Sequence, residues 1–422
     1  MPFPRHAADR SPSRLRQTVV VIGAGIAGAC CAHALVQDGH DVTIVDEREP
    51  GDGCSYGNAG QINIGSTLPI ALPGMLASVP RWIADPLGPV AVRWRYLPRA
   101  VPWLLRWLRA GHRENADAAS LQLKALSAAS LQLYRMMLGN EDFTSLIRTV
   151  GHLHVWETAT PSAADRLADE MVAAKGIHPA RLDAAAIREI EPALAPIYQR
   201  GLYFPDNGHT VNPQRLVRTL VRRCLDRGAR LLQARVTDIT PDSTVITTTD
   251  RLPADAVVIA AGAWSNRLLH RFGIKPPLET ERGYHAMLPD PGITLRVPVS
   301  SRDHHFTTTP MEHGIRFAGT VEFGGLAAPP NFRRATVLLD HARRMFPGLR
   351  PEKVETWMGF RPSLPDSLPI IDRLPGPARL YAAFGHGHYG LSLSPMTGQL
   401  IADLIAGRQS GIDLMPFRLA RF

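Results

Sequence analysis

Three glycines, Gly23, Gly25 and Gly28, have the spacing that brings backbone against a phosphate pair. The first makes a tight turn, the second lets backbone approach a pyrophosphate, and the third lets a helix lie close on a strand. Ile26 and Ala27 open that helix, whose unpaired N–H groups then face the phosphates. Asp46 follows 18 residues after Gly28, with Glu47 beside it. An acidic side chain there can bond both ribose hydroxyls, and it repels a 2′-phosphate. NADP is therefore disfavoured, while NAD and FAD both remain open.

A second group of reactive side chains stands far down the chain. Arg361 lies in Gly359-Phe360-Arg361-Pro362, and a guanidinium there can hold a carboxylate in a two-pronged fork. The loop Gly385-His386-Gly387-His388-Tyr389-Gly390-Leu391-Ser392 follows. Tyr284 and the pair His304-His305 are further candidates for a pocket lining. Tyr284 is equally readable as a core tyrosine bonded to backbone, and His305 as a solvated histidine at a strand edge.

The elements that position these groups are legible. Thr18-Val-Val-Val-Ile22 is a β-branched run suited to a central parallel strand. A helix to about Asp38 and an alternating strand over 41–45 follow. The 18-residue stretch Val19 to Val36, preceded by arginines, imitates a signal peptide or membrane anchor. Its three glycines, its His33 and the strand directly after it favour strand–turn–helix. Residues 257–260 form an apolar strand that ends in Ala261-Gly262-Ala-Trp264, so backbone and Val236 are placed on the cofactor. The last sixty residues return to that site. A nicotinamide enzyme has no need of them, whereas a flavin ring, distant from its adenine, needs its own wall.

With those segments in view, the chain from Thr18 onward resembles the FAD-dependent D-amino acid oxidase superfamily, and within it the bacterial D-amino acid dehydrogenases. Ser55-Tyr-Gly-Asn58-Ala59-Gly60-Gln61-Ile62 is similar to the dehydrogenases' flavin-contacting segment. Gly387-His388-Tyr389-Gly390-Leu391-Ser392 is similar to the loop whose backbone donors face the flavin pyrimidine carbonyl. Gly359-Phe360-Arg361-Pro362 matches the superfamily's substrate-carboxylate position, and the ending Pro416-Phe417-Arg418 is familiar among the dehydrogenases. The resemblance implies noncovalent FAD, since no Cys follows Cys224 where some relatives attach flavin. It implies oxidative deamination of a D-amino or D-imino acid, with the α-hydrogen leaving as hydride to flavin N5 and electrons passing to a quinone or other acceptor. Arg361, Tyr284 and His305 are the expected catalytic-site residues. An oxygen-using glycine, sarcosine or D-amino acid oxidase is an alternative, as is a flavin-binding subunit of a larger dehydrogenase. No metal ligand set is present in the spacing.

The expected fold is α/β, a Rossmann-like FAD-binding domain joined to an α+β substrate domain with a mixed sheet. The FAD domain is discontinuous, at 18–66, 201–268 and 355–422. The substrate domain takes 67–200 and 269–354. Helices are expected over Ala118–Leu138, Ala163–Ala174 and Thr397–Ala406, and strands over Gly283–Leu288 and Ile315–Val321.

Composition is that of an ordinary globular chain, 45% apolar and 20% charged, with four cysteines. Cys30 and Cys31 read as small core residues. So few cysteines point to a reducing, cytoplasmic setting. Net charge is +9. It divides into +3 on a disordered extension, residues 1–17, and +6 on residues 64–113, so the rest is balanced. Residues 82–107 hold Trp82, Trp94, Trp103 and Trp107, and Arg95, Arg99, Arg106, Arg109 and Arg113 fall on one helical stripe opposite Leu97, Val101, Leu104, Leu105 and Leu108. The segment 81–113 is thus expected either to rest on the anionic inner face of the cell membrane, with Trp at the interface, or to pack on its own domain. Pro98 and Pro102 weaken the case for one continuous helix. No nucleic-acid motif accompanies the basic stretch.

Overall fold

A computed structural model describes residues 16–75, 85 and 87–422. Strand β1 (Thr18–Ile22), helix α1 (Ile26–Gln37) and strand β2 (Asp41–Asp46) come first, as the sequence predicts. The signal-like stretch is therefore strand, turn and helix. β1 lies centrally in a six-stranded sheet ordered Arg230–Gln233, β2, β1, Ala256–Ile259, Leu380–Phe384, Ile370–Arg373. Only the last pairing is antiparallel. Alternation along β1 decides its two faces. Val19 and Val21 join a core with α1 and the helices Pro213–Leu225 and Gly390–Ala406. Val20 and Ile22 join the opposite core, which holds Ile239 and Val245 of a small antiparallel meander. Cys30 and Cys31 are buried in the first of these cores, with Val19 and Val21. Gly398 allows the helix Gly390–Ala406 to lie on α1, because a Cβ at that position would run into the Cys30 backbone.

A nine-stranded mixed sheet makes the second layer system. Its main path runs Glu355–Ser363, Glu279–Leu288, Gly314–Phe323, Phe306–Met311, Val299–Ser301, His152–Trp156, Arg200–Phe204, Ala180–Asp183. The strands expected at 283–288 and 315–321 are present and longer. Residues 200–204 and 355–363 pair within this sheet, whereas the sequence reading assigned 201–268 and 355–422 to the nucleotide-binding part. Strand pairing across more than 40 residues decides this, and no local pattern reports it. Arg113–Ser127 and Ser130–Leu146 replace the one expected helix at 118–138. Ala163–Ala173 forms as expected, with Ser162 and Asp165 in a capping box.

The helix expected from Thr397 begins instead at Gly390, inside the glycine–histidine loop. Pro395 lies inside it, and a proline nitrogen cannot donate to the carbonyl four residues back. That carbonyl belongs to Leu391. It accepts from the Tyr134 hydroxyl at 2.8 Å, so a side chain replaces the missing backbone donor.

Leu97–Ala110 is one continuous helix despite its prolines. Pro98 sits in the first turn, where no N–H is needed. Ala100, Trp103 and Trp107 face inward, at the i, i+3, i+7 positions, and pack with Ala71 and Phe323. The expected division of faces is thus corrected. Two of the tryptophans are core, since their rings bury the most area, and Val101 and Leu105 face outward among Arg99, Arg106 and Arg109. Trp94 is exposed, while Trp82 and the extension before Arg16 lie outside the described residues. None of the described helices is long and apolar enough to cross a membrane.

Candidate active site

Two adjoining cavities occupy the junction of the sheets. The first, of about 310 Å³, runs over the carboxyl ends of the parallel strands. Gly23, Gly25, Ile26 and Ala27 line one end of it, with Asp46 and Glu47. Gly23 adopts a left-handed φ of 112°, and a Cβ there would collide with the Ala260 carbonyl. Gly28 lies behind the turn, where a Cβ would strike the Gly23 carbonyl. α1 has no side-chain cap of its own, but Ser55 Oγ accepts from Ile26 N at 3.0 Å. The helix therefore brings its positive end to the cavity where a pyrophosphate would lie.

Asp46 accepts from Ala24 N at 2.7 Å and from Arg48 N at 3.0 Å. Burial raises its pKa, against those two bonds. The carboxylate is thereby fixed at the strand end with lone pairs to spare for ribose. Val236, Ala261, Gly262 and Trp264 line the same cavity, and Arg48 lies 5.2 Å from the Trp264 ring. Gly387, Gly390 and Leu391 line it too, at the start of the last helix, with Gly390 close to Ile26. A backbone cradle, a helix N-terminus and an acid at the strand end fit a dinucleotide such as FAD.

The second cavity, of about 380 Å³, opens over the mixed sheet and shares Cys54, Asn58 and Gly387 with the first. Arg361 stands at this junction. Its guanidinium lies across Gly283, where a Cβ would overlap Cζ and both Nη atoms. Nη1 donates to the Thr320 carbonyl at 3.2 Å, and Thr320 itself holds a left-handed φ of 57°. This is the one hydrogen bond of Arg361 among the described residues, so most of its donor fork remains for a ligand carboxylate. Burial lowers its pKa, opposed by Cys54 and Glu281. Glu281 is its cross-strand partner and is buried. His388 Nε2 bonds Glu281 Oε2 at 2.6 Å. Burial raises the Glu281 carboxyl, but His388 and Arg361 outweigh it and the net shift is downward. Burial pushes the Cys54 thiol up to about 11, so it sits at the junction as a thiol.

Trp357 covers the site. Its indole stacks on His285 at 5.2 Å and lies where Cβ atoms at Gly57 and Gly359 would fall. Ala59, Gln61, Tyr389 and Ser392 line the second cavity, and Ser392 Oγ accepts from Asn63 N. Gly60 is the turn residue between them, with φ 80°. Tyr284 contributes to the wall, but its hydroxyl donates to Glu322 Oε2 at 2.7 Å and accepts from Asn331 N. The structure gives it the bonded, buried form. His305 lies at the rim, exposed, in a left-handed turn with φ 53°.

The model of the FAD-dependent oxidoreductase (DAO) family matches residues 18–404. The chain belongs to that family. Its cofactor is FAD, and the cavity with the glycine cradle is the candidate site for it. Over 415 residues the chain is 38% identical to a D-amino-acid oxidase of Bradyrhizobium diazoefficiens, covering 96% of this chain and 98% of the relative. It is 31% identical to a D-amino acid dehydrogenase of Paramagnetospirillum magneticum, at 96% and 98% coverage. Glycine oxidase from Geobacillus kaustophilus superposes with a TM-score of 0.71 at 25% identity, covering 96% and 99%.

Sequence reading passed over Arg302 and assigned Glu281 no role. Arg302 lies two residues before the His304-His305 pair that was singled out, on the same face as Ser300. Glu281 is in the Tyr284 segment, and only its pairing with Arg361 across the sheet shows what it does.

Proposed function

We propose that the protein oxidises a D-amino or D-imino acid at the junction of the two cavities and passes the electrons to a second acceptor such as a quinone. The observation that carries this reading is the Arg361 guanidinium, held over Gly283 with its donor fork open at the meeting of the FAD site and a substrate-sized cavity. Bound FAD would supply the two-electron acceptor. Arg361 takes the substrate carboxylate and fixes its direction. Orientation of this kind is worth up to about 7–11 kcal/mol of barrier. Glu281 and His388 balance the buried charge behind it. Trp357 and Tyr389 keep water from the reacting carbon. Among the described residues that line the second cavity there is no carboxylate or lysine to act as a base, which suits a substrate whose amine is already neutral.

Anaerobic bleaching of the flavin against a panel of D-, L- and N-methyl amino acids tests the reading. Reduction by D-isomers supports it, and reduction by L-isomers alone overturns the stereochemistry. Peroxide formed per turnover separates direct use of oxygen from a quinone acceptor. The exposed Trp94, Val101 and Leu105 beside Arg95, Arg99, Arg106 and Arg109 support contact with an anionic membrane surface, where a quinone is reached. Failure to float with anionic liposomes at low salt rejects that contact.

A further inference from the structure

The substrate cavity has a second cation. Arg302 lines it, immediately after the strand Val299–Ser301, and its guanidinium has no hydrogen bond or ion pair among the described residues. The nearest acids are engaged elsewhere. Asp165 takes Arg200 at 2.7 Å, Trp156 Nε1 at 2.9 Å and Ser162 N at 2.9 Å. Asp169 takes Arg181, and Asp303 accepts from Glu157 N. No carboxylate occurs among the described residues that line the cavity. A recessed guanidinium without a partner is costly, and burial holds its pKa below the usual arginine value.

Strand register locates it against Arg361. Ser301 pairs with Phe306, and Phe306 with Gly319. Arg302 opens the turn directly after Ser301, and Thr320, whose carbonyl Arg361 bonds, directly follows Gly319. Two strand spacings separate those backbones, roughly 10 Å. The floor between is polar. Ser300 Oγ bonds His152 Nε2 and Thr307 Oγ1, each at 2.9 Å, and Gln61 joins both His152 and Thr307. A zwitterion with an apolar side chain would leave the Arg302 guanidinium unanswered.

Building on the amino acid reading above, we infer that the substrate carries a second acidic group at the end of a short side chain, bound by Arg302 while Arg361 holds the α-carboxylate. The cavity is a dicarboxylate site, suited to acidic amino acids of the aspartate and glutamate type.

The test compares kcat/KM for D-glutamate with that for D-glutamine, and D-aspartate with D-asparagine, on the holoenzyme. Acid-over-amide ratios of at least about tenfold are expected, one charge-assisted bond's worth. Arg302→Leu lowers the ratio at least tenfold, and Arg302→Lys, which keeps the charge and guards against a folding failure, retains part of it. Non-oxidisable glutarate raises the melting temperature of the wild type more than butyrate does, and this difference shrinks in Arg302→Leu. A ratio near or below one in the wild type overturns the inference, as does an equal loss on acid and amide. Oxidation of neutral D-amino acids without acidic ones rejects the dicarboxylate site and leaves the amino acid reading standing. No flavin reduction by any panel member overturns that reading, and the glutarate difference still judges Arg302.

Discussion

Gly283→Ala tests the carboxylate anchor without touching the anchor itself. The new methyl would occupy the space of Arg361 Cζ and both Nη atoms. Gly283 lies beside a register shift but holds no left-handed φ, so its backbone tolerates alanine, and the guanidinium, as the movable end of a flexible side chain, gives way. It must retreat by about 1 Å or more and loses the Thr320 carbonyl. A displacement of that size at a positioning group costs about 100-fold in rate. Loss of a charge-assisted pair in a recess is worth about 2–4 kcal/mol, or roughly 30- to 1000-fold in kcat/KM. Steady-state kinetics with the best substrate from the bleaching panel reads this, with FAD content as a control, which stays at one per chain. A double-mutant cycle identifies the cause. In an Arg361→Leu background the methyl has nothing to displace, so Gly283→Ala adds little. Wild-type kcat/KM in Gly283→Ala, or two losses that simply multiply, would refute the reasoning.

Two further outcomes follow from the same contacts. Tyr134→Phe removes the donor that Pro395 makes necessary, leaves the Leu391 carbonyl buried and unpaired, and lowers unfolding stability by about 1–3 kcal/mol, read as a lower melting temperature. Burial depresses His152 and His285 to about 3 and His33, His209 and His386 to about 4. Each folds as a neutral ring while its unfolded counterpart titrates near 6.5. Their contribution is complete above pH 6.5 and is lost as pH falls toward 4, at about 1.4 kcal/mol per group by pH 5.5. Melting temperature should therefore drop steadily between pH 7 and 5, and a flat profile contradicts the neutral burial of these rings.

The sequence by itself determined the parts governed by local pattern. A β-branched run, three spaced glycines and an acid at the next strand end are read within thirty residues, because a tight turn and a phosphate approach depend on neighbours in the chain. Arg361 could be singled out as a carboxylate anchor only through the resemblance that Gly-Phe-Arg-Pro carries. Tertiary structure decided the rest. Whether Tyr284 offers its hydroxyl depends on Glu322, 38 positions away and across a strand pair. Which tryptophans of Leu97–Ala110 are buried depends on Phe323, more than 200 residues distant. The last helix starts early because Tyr134 supplies what Pro395 lacks. Arg302 acquires meaning only when the fold lines one cavity with it and Arg361 and the nearby carboxylates prove engaged. Periodicity and spacing report what a residue can do, and long-range pairing determines which partners remain for it to do it with.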